Sequence, residues 1–368
     1  MFTDLLAALA VVVNGIPQGL LALMYGFAAL PTALAFLVGI GGSLYFNSVA
    51  TISFQAETIA LAGNLGRDIR ERLSMVFWGA LFLLIPSLMG LNEAIVALIG
   101  PAIVNSMMAG VGLMLANVSI DMLNSERWSG TVSVIVALAV WVITRDLAWT
   151  IIISVAAATV VYNYLLRVRH MQLDTLSIDI SNEKFTFGNI EWRLWKNPRI
   201  LSGALAMACI NIGANISFGK ITGSIAKTNA NIDHLAIYSS LADMASTLFG
   251  GSPVESIISG TATAPNPLRS SVMMMAIMAA LLIFKLLPTI GKYVHRSSIA
   301  GFLLVLGVFV TFINNVAGAL ACVPAEALNG FGFGPWGMVV GATIFASARW
   351  NPFVGLLAGV LFRVIFKL

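Results

Sequence analysis

Charge is what this sequence has least of. Acidic and basic residues together make up 10% of its 368 positions, while 59% are hydrophobic. Soluble domains carry about 25% charged residues, so an ordinary water-facing surface is excluded. A mean hydropathy of +0.93 places the chain in a bilayer. Cysteine is reduced to Cys209 and Cys322, both inside apolar runs, which excludes a disulfide framework. His170, His234 and His295 are scattered without ligand spacing, so no metal site is expected. No nucleophile–base pairing stands out and no soluble domain could hold a cofactor, so neither an enzyme nor a bound cofactor is expected. The basic residues behind the net charge of +4 lie in short loops, which argues against nucleic acid as a partner. No basic region precedes the first apolar run, so no cleavable signal is expected. Rings of charge and a filter-like glycine run are lacking, which disfavours a channel.

What the chain has instead is one apolar run after another from Leu5 onward, of the length needed to cross about 30 Å of hydrocarbon. Lipid offers no partner to free backbone groups, so these runs must be helices. Breaks at Gly, Pro, Asn and charged residues predict helices at 5–27 (kinked near Pro17), 30–50, 73–90, 94–117, 129–144 and 147–166. A second set is predicted at 200–226, 234–249, 270–291, 297–320, 333–347 and 351–367. Two shorter, interrupted segments fall at 51–66 and 251–264. The expected fold is an all-α membrane protein of fourteen transmembrane segments in two inverted seven-segment repeats. Residues 1–166 and 200–368 form the repeats, and a polar connecting loop spans 167–199. An odd number of crossings per half is what inverts them.

Segments 3 and 10 organise the rest. The stretch from Ala50 to Phe54 is rich in β-branched residues and hydroxyls, and Gly250-Gly251-Ser252-Pro253 cannot be helix interior. Each is expected to be a short strand followed by a half-helix, with both N-terminal dipole ends facing one central space. Glu57 and Glu255 occupy corresponding places in the two. Acids inside membrane segments are costly and usually face a cavity or a partner, so both are read as substrate-binding and ion-coupling residues. The competing reading is a carboxylate that caps its own half-helix. Ser53, Gln55, Asn211, Asn215 and Ser252 could hydrogen-bond a polar solute or simply join helices. Phe54, with Phe218, could stack on a planar one. Lys220 and Asp243 suggest an ion pair, with each other or with Glu57 or Glu255, or a part in ion coupling. Asn314 and Asn315 could line the gate.

Phe77 to Leu84 (FWGALFLL), Ile99 to Leu113 (IGPAIVNSMMAGVGL) and Gly250-Gly251-Ser252-Pro253-Val254 resemble helices 4 and 5 and the helix 10 strand of the xanthine/uracil permease family, in particular its adenine/guanine/hypoxanthine branch. The resemblance implies a core domain (1–90 plus 200–291) moving against a gate domain (94–166 plus 297–367) in an elevator-like cycle. It also implies frequent homodimers and import of nucleobases by cation symport. The chain departs from the branch in reading Asn211 to Ser217 where an Asp is usual in helix 8. It also has Ser259 where the helix 10 acid is usual, with Glu255 a turn earlier.

The expected function is therefore a permease of the inner (plasma) membrane of a bacterium. It would move a small polar solute, a purine or pyrimidine nucleobase first, with H⁺ or Na⁺. The alternative keeps the fold and carries an inorganic or organic anion. Most of the 20 basic residues fall on the side opposite the termini, Arg67, Arg70, Arg72 and Arg127 among them. The positive-inside rule then places the termini outside, against the topology the resemblance implies.

Overall fold

In the computed structural model the described residues are 1–169, 185–228, 230–324 and 334–368. The chain is a multi-pass integral membrane protein, nearly all helical. The first half comprises α1 (Phe2–Met24), α2 (Ala29–Tyr45), β1 (Thr51–Ser53), α3 (Ala56–Leu65), α4 (Ile69–Leu88), α5 (Asn92–Ile99), α6 (Pro101–Ser125), α7 (Arg127–Thr144) and α8 (Leu147–Arg169). The second comprises α9 (Pro198–Ile225), α10 (Ile232–Thr247), β2 (Glu255–Ile257), a 3-10 turn (Gly260–Thr263), α11 (Pro267–Ile283) and α12 (Leu286–Gly291). It continues with α13 (Arg296–Val305), a π-helical stretch (Leu306–Phe312), α14 (Ile313–Ala321), α15 (Gly334–Arg349) and α16 (Pro352–Ile365). Among the described residues seven helical runs are long and apolar enough to cross a membrane: α1, α4, α6, α7, α8, α9 and the run from Arg296 to Ala321.

Several boundaries differ from those expected. The helix expected at 94–117 is two, because Gly100 takes a positive φ of 97° and Pro101 starts α6 afresh. The one expected at 270–291 breaks at Lys285. Segment 10 departs most: no half-helix follows its strand. Pro265 holds Ala264 extended (ψ 153°), and Asn266 and Pro267 already start α11, which leaves room for a single 3-10 turn. The strand also lies later than the glycine–proline run, at Glu255–Ile257. Part of the polar connector, 170–184 with His170, lies outside the described residues. Its visible end packs on α4, where the Trp78 indole N–H donates to the Glu191 carbonyl at 2.9 Å and Ser74 Oγ accepts from Glu191 N–H at 2.8 Å.

Helices pack in two sets. In one, α4 lies on α9 and α10, α2 on α10 and α11, and α1 on α11; in the other, α7 lies on α8 and α13, α6 on α13 and α15, and α15 on α16. Within the second set a glycine pair sets one of the close approaches. A Cβ on Gly112 of α6 would lie 2.5 Å from the Gly307 carbonyl oxygen, so only glycine lets the π stretch press against α6 there.

Candidate functional site

The two broken segments meet. β1 and β2 pair antiparallel, Thr51 opposite Ile257, Ile52 opposite Ser256 and Ser53 opposite Glu255. Three residues per strand cannot satisfy all the extended backbone at this depth, so neighbouring side chains supply the rest. Tyr238 OH donates to the Ala50 carbonyl at 2.6 Å, and Thr222 Oγ1 donates to that of Ile257 at 3.0 Å. Thr32 Oγ1 accepts from Ser252 N–H at 2.8 Å, and Ser246 Oγ donates to the Ser252 carbonyl at 2.7 Å. Asp243 Oδ1 accepts from Val254 N–H at 2.7 Å. The extended stretches are held from α2, α9 and α10 as much as by each other.

After β1 the chain turns at Gln55, extended at ψ 123°, into α3. Ala56, Ala60 and Ala62 favour that helix, and Gly66 lies just past its end. The first turn faces a cavity of about 520 Å³ lined by α1, the 53–57 stretch, the 257–260 stretch, the α7–α8 turn and the π stretch. Gln18 of α1 accepts from Ala56 N–H through Oε1 at 3.0 Å, so one helix-end donor is already satisfied. Glu57, only 3% exposed, lines the cavity, and its Oε1 accepts from Thr311 Oγ1 of the π stretch at 3.0 Å. The π turn sets this geometry, with Asn315 Nδ2 donating to the Thr311 carbonyl at 2.7 Å. Arg145, Asp146 and Ile258 are exposed lining residues and mark the mouth.

The cavity gathers Ser53, Phe54, Gln55 and Glu57, together with Phe218 and Asn314. Phe54 is also locked edge-on against Phe36, ring centroids 5.5 Å apart. Asn211, Asn215, Ser252 and Glu255 are not among its lining residues. Asn215 Nδ2 donates to Ser239 Oγ at 3.4 Å. Ser252 Oγ donates to the Pro253 carbonyl at 3.1 Å. Glu255 is 0% exposed, neighbours Asp243, and has no hydrogen-bond partner on either oxygen among the described residues. The expected ion pair between Lys220 and Asp243, Glu57 or Glu255 does not form. Lys220 Nζ lies 3.1 Å from Glu93 of α5, and both side chains are more than half exposed. A lysine this near the end of α9 reaches outward rather than paying the desolvation cost of an interior pair.

Sequence reasoning missed Gln18, Thr311, Trp141 and Arg145. A polar group within an apolar run signalled Gln18, Thr311 and Trp141, and Arg145 stood as a charge between two runs, but nothing in the spacing tied them to the site. Among the described residues no cluster of His, Cys, Asp and Glu suits a metal ion.

No family model and no curated protein sequence matches the chain. Solved structures do. SLC26A9 matches at a TM-score of 0.69 with 12% identity, over 100% of this chain and 65% of that one. Murine Slc26a9, described as an anion transporter in the inward-facing state, matches at 0.70 with 12% identity, over 100% and 68%. The transmembrane domain of the cyanobacterial bicarbonate transporter BicA matches at 0.66 with 12% identity, over 97% of each chain. The chain thus spans about two thirds of the SLC26A9 length. The purine-permease branch suggested by short motifs is not shown by these likenesses. What they establish is that this chain has the fold of the BicA transmembrane domain and of about two thirds of SLC26A9.

Proposed function

We propose that this protein is a secondary transporter that carries a small anion across the membrane together with a proton. One observation carries the reading: the cavity at the strand break holds one buried acid, Glu57, a set of neutral amides from Asn14, Gln18, Gln55 and Asn314, and, exposed at its mouth, Arg145 beside Asp146. Anion and bicarbonate transporters share the fold, which favours an anion over the nucleobase as cargo. An ionised Glu57 and an anion about 4 Å apart would repel by about 1 kcal/mol in water and about 4 kcal/mol at the effective dielectric of a protein margin. Cargo and a protonated Glu57 avoid that cost, which makes the proton a companion of the anion.

Counted with the long helices, the shorter and broken ones make fourteen segments in two inverted repeats. Residues 1–90 and 200–291 act as the moving core, and 94–166 and 297–367 as the gate. The Thr311–Glu57 contact crosses between them. Asp243 and Glu255 form a second ionisable element, closed off from the cavity in this arrangement and able to take H⁺ or Na⁺ in another. Uptake into reconstituted vesicles tests the proposal. Bicarbonate, sulfate or chloride should accumulate under a pH gradient, and Glu57→Gln should remove the pH dependence. Accumulation of labelled uracil or adenine with no anion uptake would return the reading to a nucleobase.

A further inference from the structure

The cavity is chemically one-sided. Its α1 and α3 walls hold Asn14, Gln18, Gln55 and Glu57, none of them basic, whereas the wall at the end of α7 holds Trp141 and, one turn later, Arg145. Arg145 is the left-handed C-cap of α7 (φ 53°), and its N–H donates to the Trp141 carbonyl at 2.9 Å, so the two backbones adjoin at the end of the helix and both residues line the cavity. The Trp141 indole nitrogen is buried and has no hydrogen-bond partner among the described residues. A buried N–H with no acceptor is costly, and in a cavity wall it fits a ligand that brings one. The Trp141 ring is steadied by Phe309 of the π stretch, ring centroids 6.3 Å apart. Arg145 is exposed and makes no ion pair among the described residues. The adjacent acid forms no ion pair with it: Asp146 Oδ1 caps α8 instead, accepting from Ala148 N–H at 2.7 Å and Trp149 N–H at 3.3 Å.

We propose that Trp141 and Arg145 form an anion-holding subsite at the mouth of the cavity, which takes a small acceptor-only anion, a halide or an oxyanion, before it reaches the Glu57 end. The assignment rests on the anion reading above and deepens it. The indole N–H sets where the anion sits and the guanidinium sets how often it is there. Because neither residue lies on the segments proposed to move, the anion leaves this subsite when the core carries it across.

The test uses iodide as a charged quencher of Trp141 fluorescence in the purified full chain, with Trp141→Phe subtracted to isolate that residue, and acrylamide as a neutral control. Arg145→Gln should lower the iodide quenching constant of Trp141 about threefold, the effect expected of one unit charge a few ångströms away in a wet mouth. Acrylamide quenching should not change, and Arg145→Lys should keep most of the iodide effect. Equal iodide quenching in the wild type and Arg145→Gln, a parallel fall with acrylamide, or no iodide quenching of Trp141 at all would overturn the subsite. Anion uptake by wild-type vesicles is measured alongside. Uptake with no Arg145 dependence of quenching sinks the subsite alone, whereas Arg145-dependent quenching without anion uptake sinks the transport reading and leaves the subsite.

Discussion

Tyr238→Phe removes one oxygen from the largest fully buried side chain among the described residues and asks whether α10 holds the first strand in place. The hydroxyl donates to the Ala50 carbonyl at 2.6 Å and lies 3.3 Å from Ser48 Oγ. Phenylalanine fills the same space, so no cavity term arises. The ring cannot shift to compensate on the α2 side, where a Cβ on Gly42 would already come within 2.2 Å of Tyr238 Cβ. What remains is an Ala50 carbonyl, 0% exposed, without this donor. An unpaired buried acceptor costs about 1–3 kcal/mol, whereas removing both partners of a hydrogen bond can be almost neutral. Reversible unfolding in mixed micelles should therefore show Tyr238→Phe less stable by about 1–3 kcal/mol, the cost of one orphaned acceptor. Uptake should fall as well, because β1 leads straight into Gln55 and Glu57. A loss below about 0.5 kcal/mol, smaller than a typical net hydrogen bond, would show that the Ala50 carbonyl finds another donor and that the strand is not held from α10.

Thr311→Val should delete the hydrogen bond from the π stretch to Glu57, worth about 1 kcal/mol if Glu57 is protonated and about 1.5–3 if ionised. The pH profile of uptake, compared with that of wild type, reads which holds, and an unchanged profile would remove Thr311 from the coupling. Gly112→Ala should cost at least about 3 kcal/mol or abolish folding, as overpacking against backbone does, because its Cβ would meet Gly307 O at 2.5 Å and Phe312 N at 2.6 Å. Yield and melting temperature in detergent check it. Glu126, at the α6–α7 turn, accepts from Trp128 N–H at 3.1 Å and Ser129 N–H at 2.6 Å; burial pushes its carboxyl up, but these donors pull harder and hold it below the ordinary 4.5. A depressed folded value means the cap is fully effective above pH 4.5 and is lost as pH falls through the lowered value. Glu126→Gln should thus cost about 1 kcal/mol at pH 7, and the difference from wild type should shrink in acid melts.

The two breaks were legible because Pro253 with its adjoining glycines cannot continue a helix and the 50–54 stretch, rich in β-branched residues and hydroxyls, favours extended backbone. Where a helix could restart after each break was not. The stretch after Gln55 holds no proline through Gly66, so α3 forms, whereas Pro265 and Pro267 cut the second off after one turn. Glu57 was found as an acid in an apolar helix start. Its partner Thr311 was hidden because a π turn, which brings it inward, leaves no period in the sequence. Lys220 and Asp243 were linked only because both looked intramembrane; the first snorkels to Glu93, while the second is bound to the backbone of Val254. Arg145 read as a loop charge, and only the folded α7–α8 turn brings it to the cavity.

Two stretches that look alike in sequence end up chemically unequal, and the inequality follows from what comes after each strand. In the first, a helix follows, so Glu57 lands in its opening turn and reaches the cavity. In the second, no helix follows, so Glu255 stays within the strand opposite Ser53, buried beside Asp243. Had both acids opened into one space, two negative charges would have faced an incoming anion in addition to Asp146, which already lies beside Arg145 at the mouth. With one acid shut away, a single proton on Glu57 is enough to leave the inner end of the cavity uncharged before the anion arrives. The unequal halves thus leave Glu57 as the one buried acid of the cavity, and on the anion reading proposed above that is where the proton would travel with the cargo.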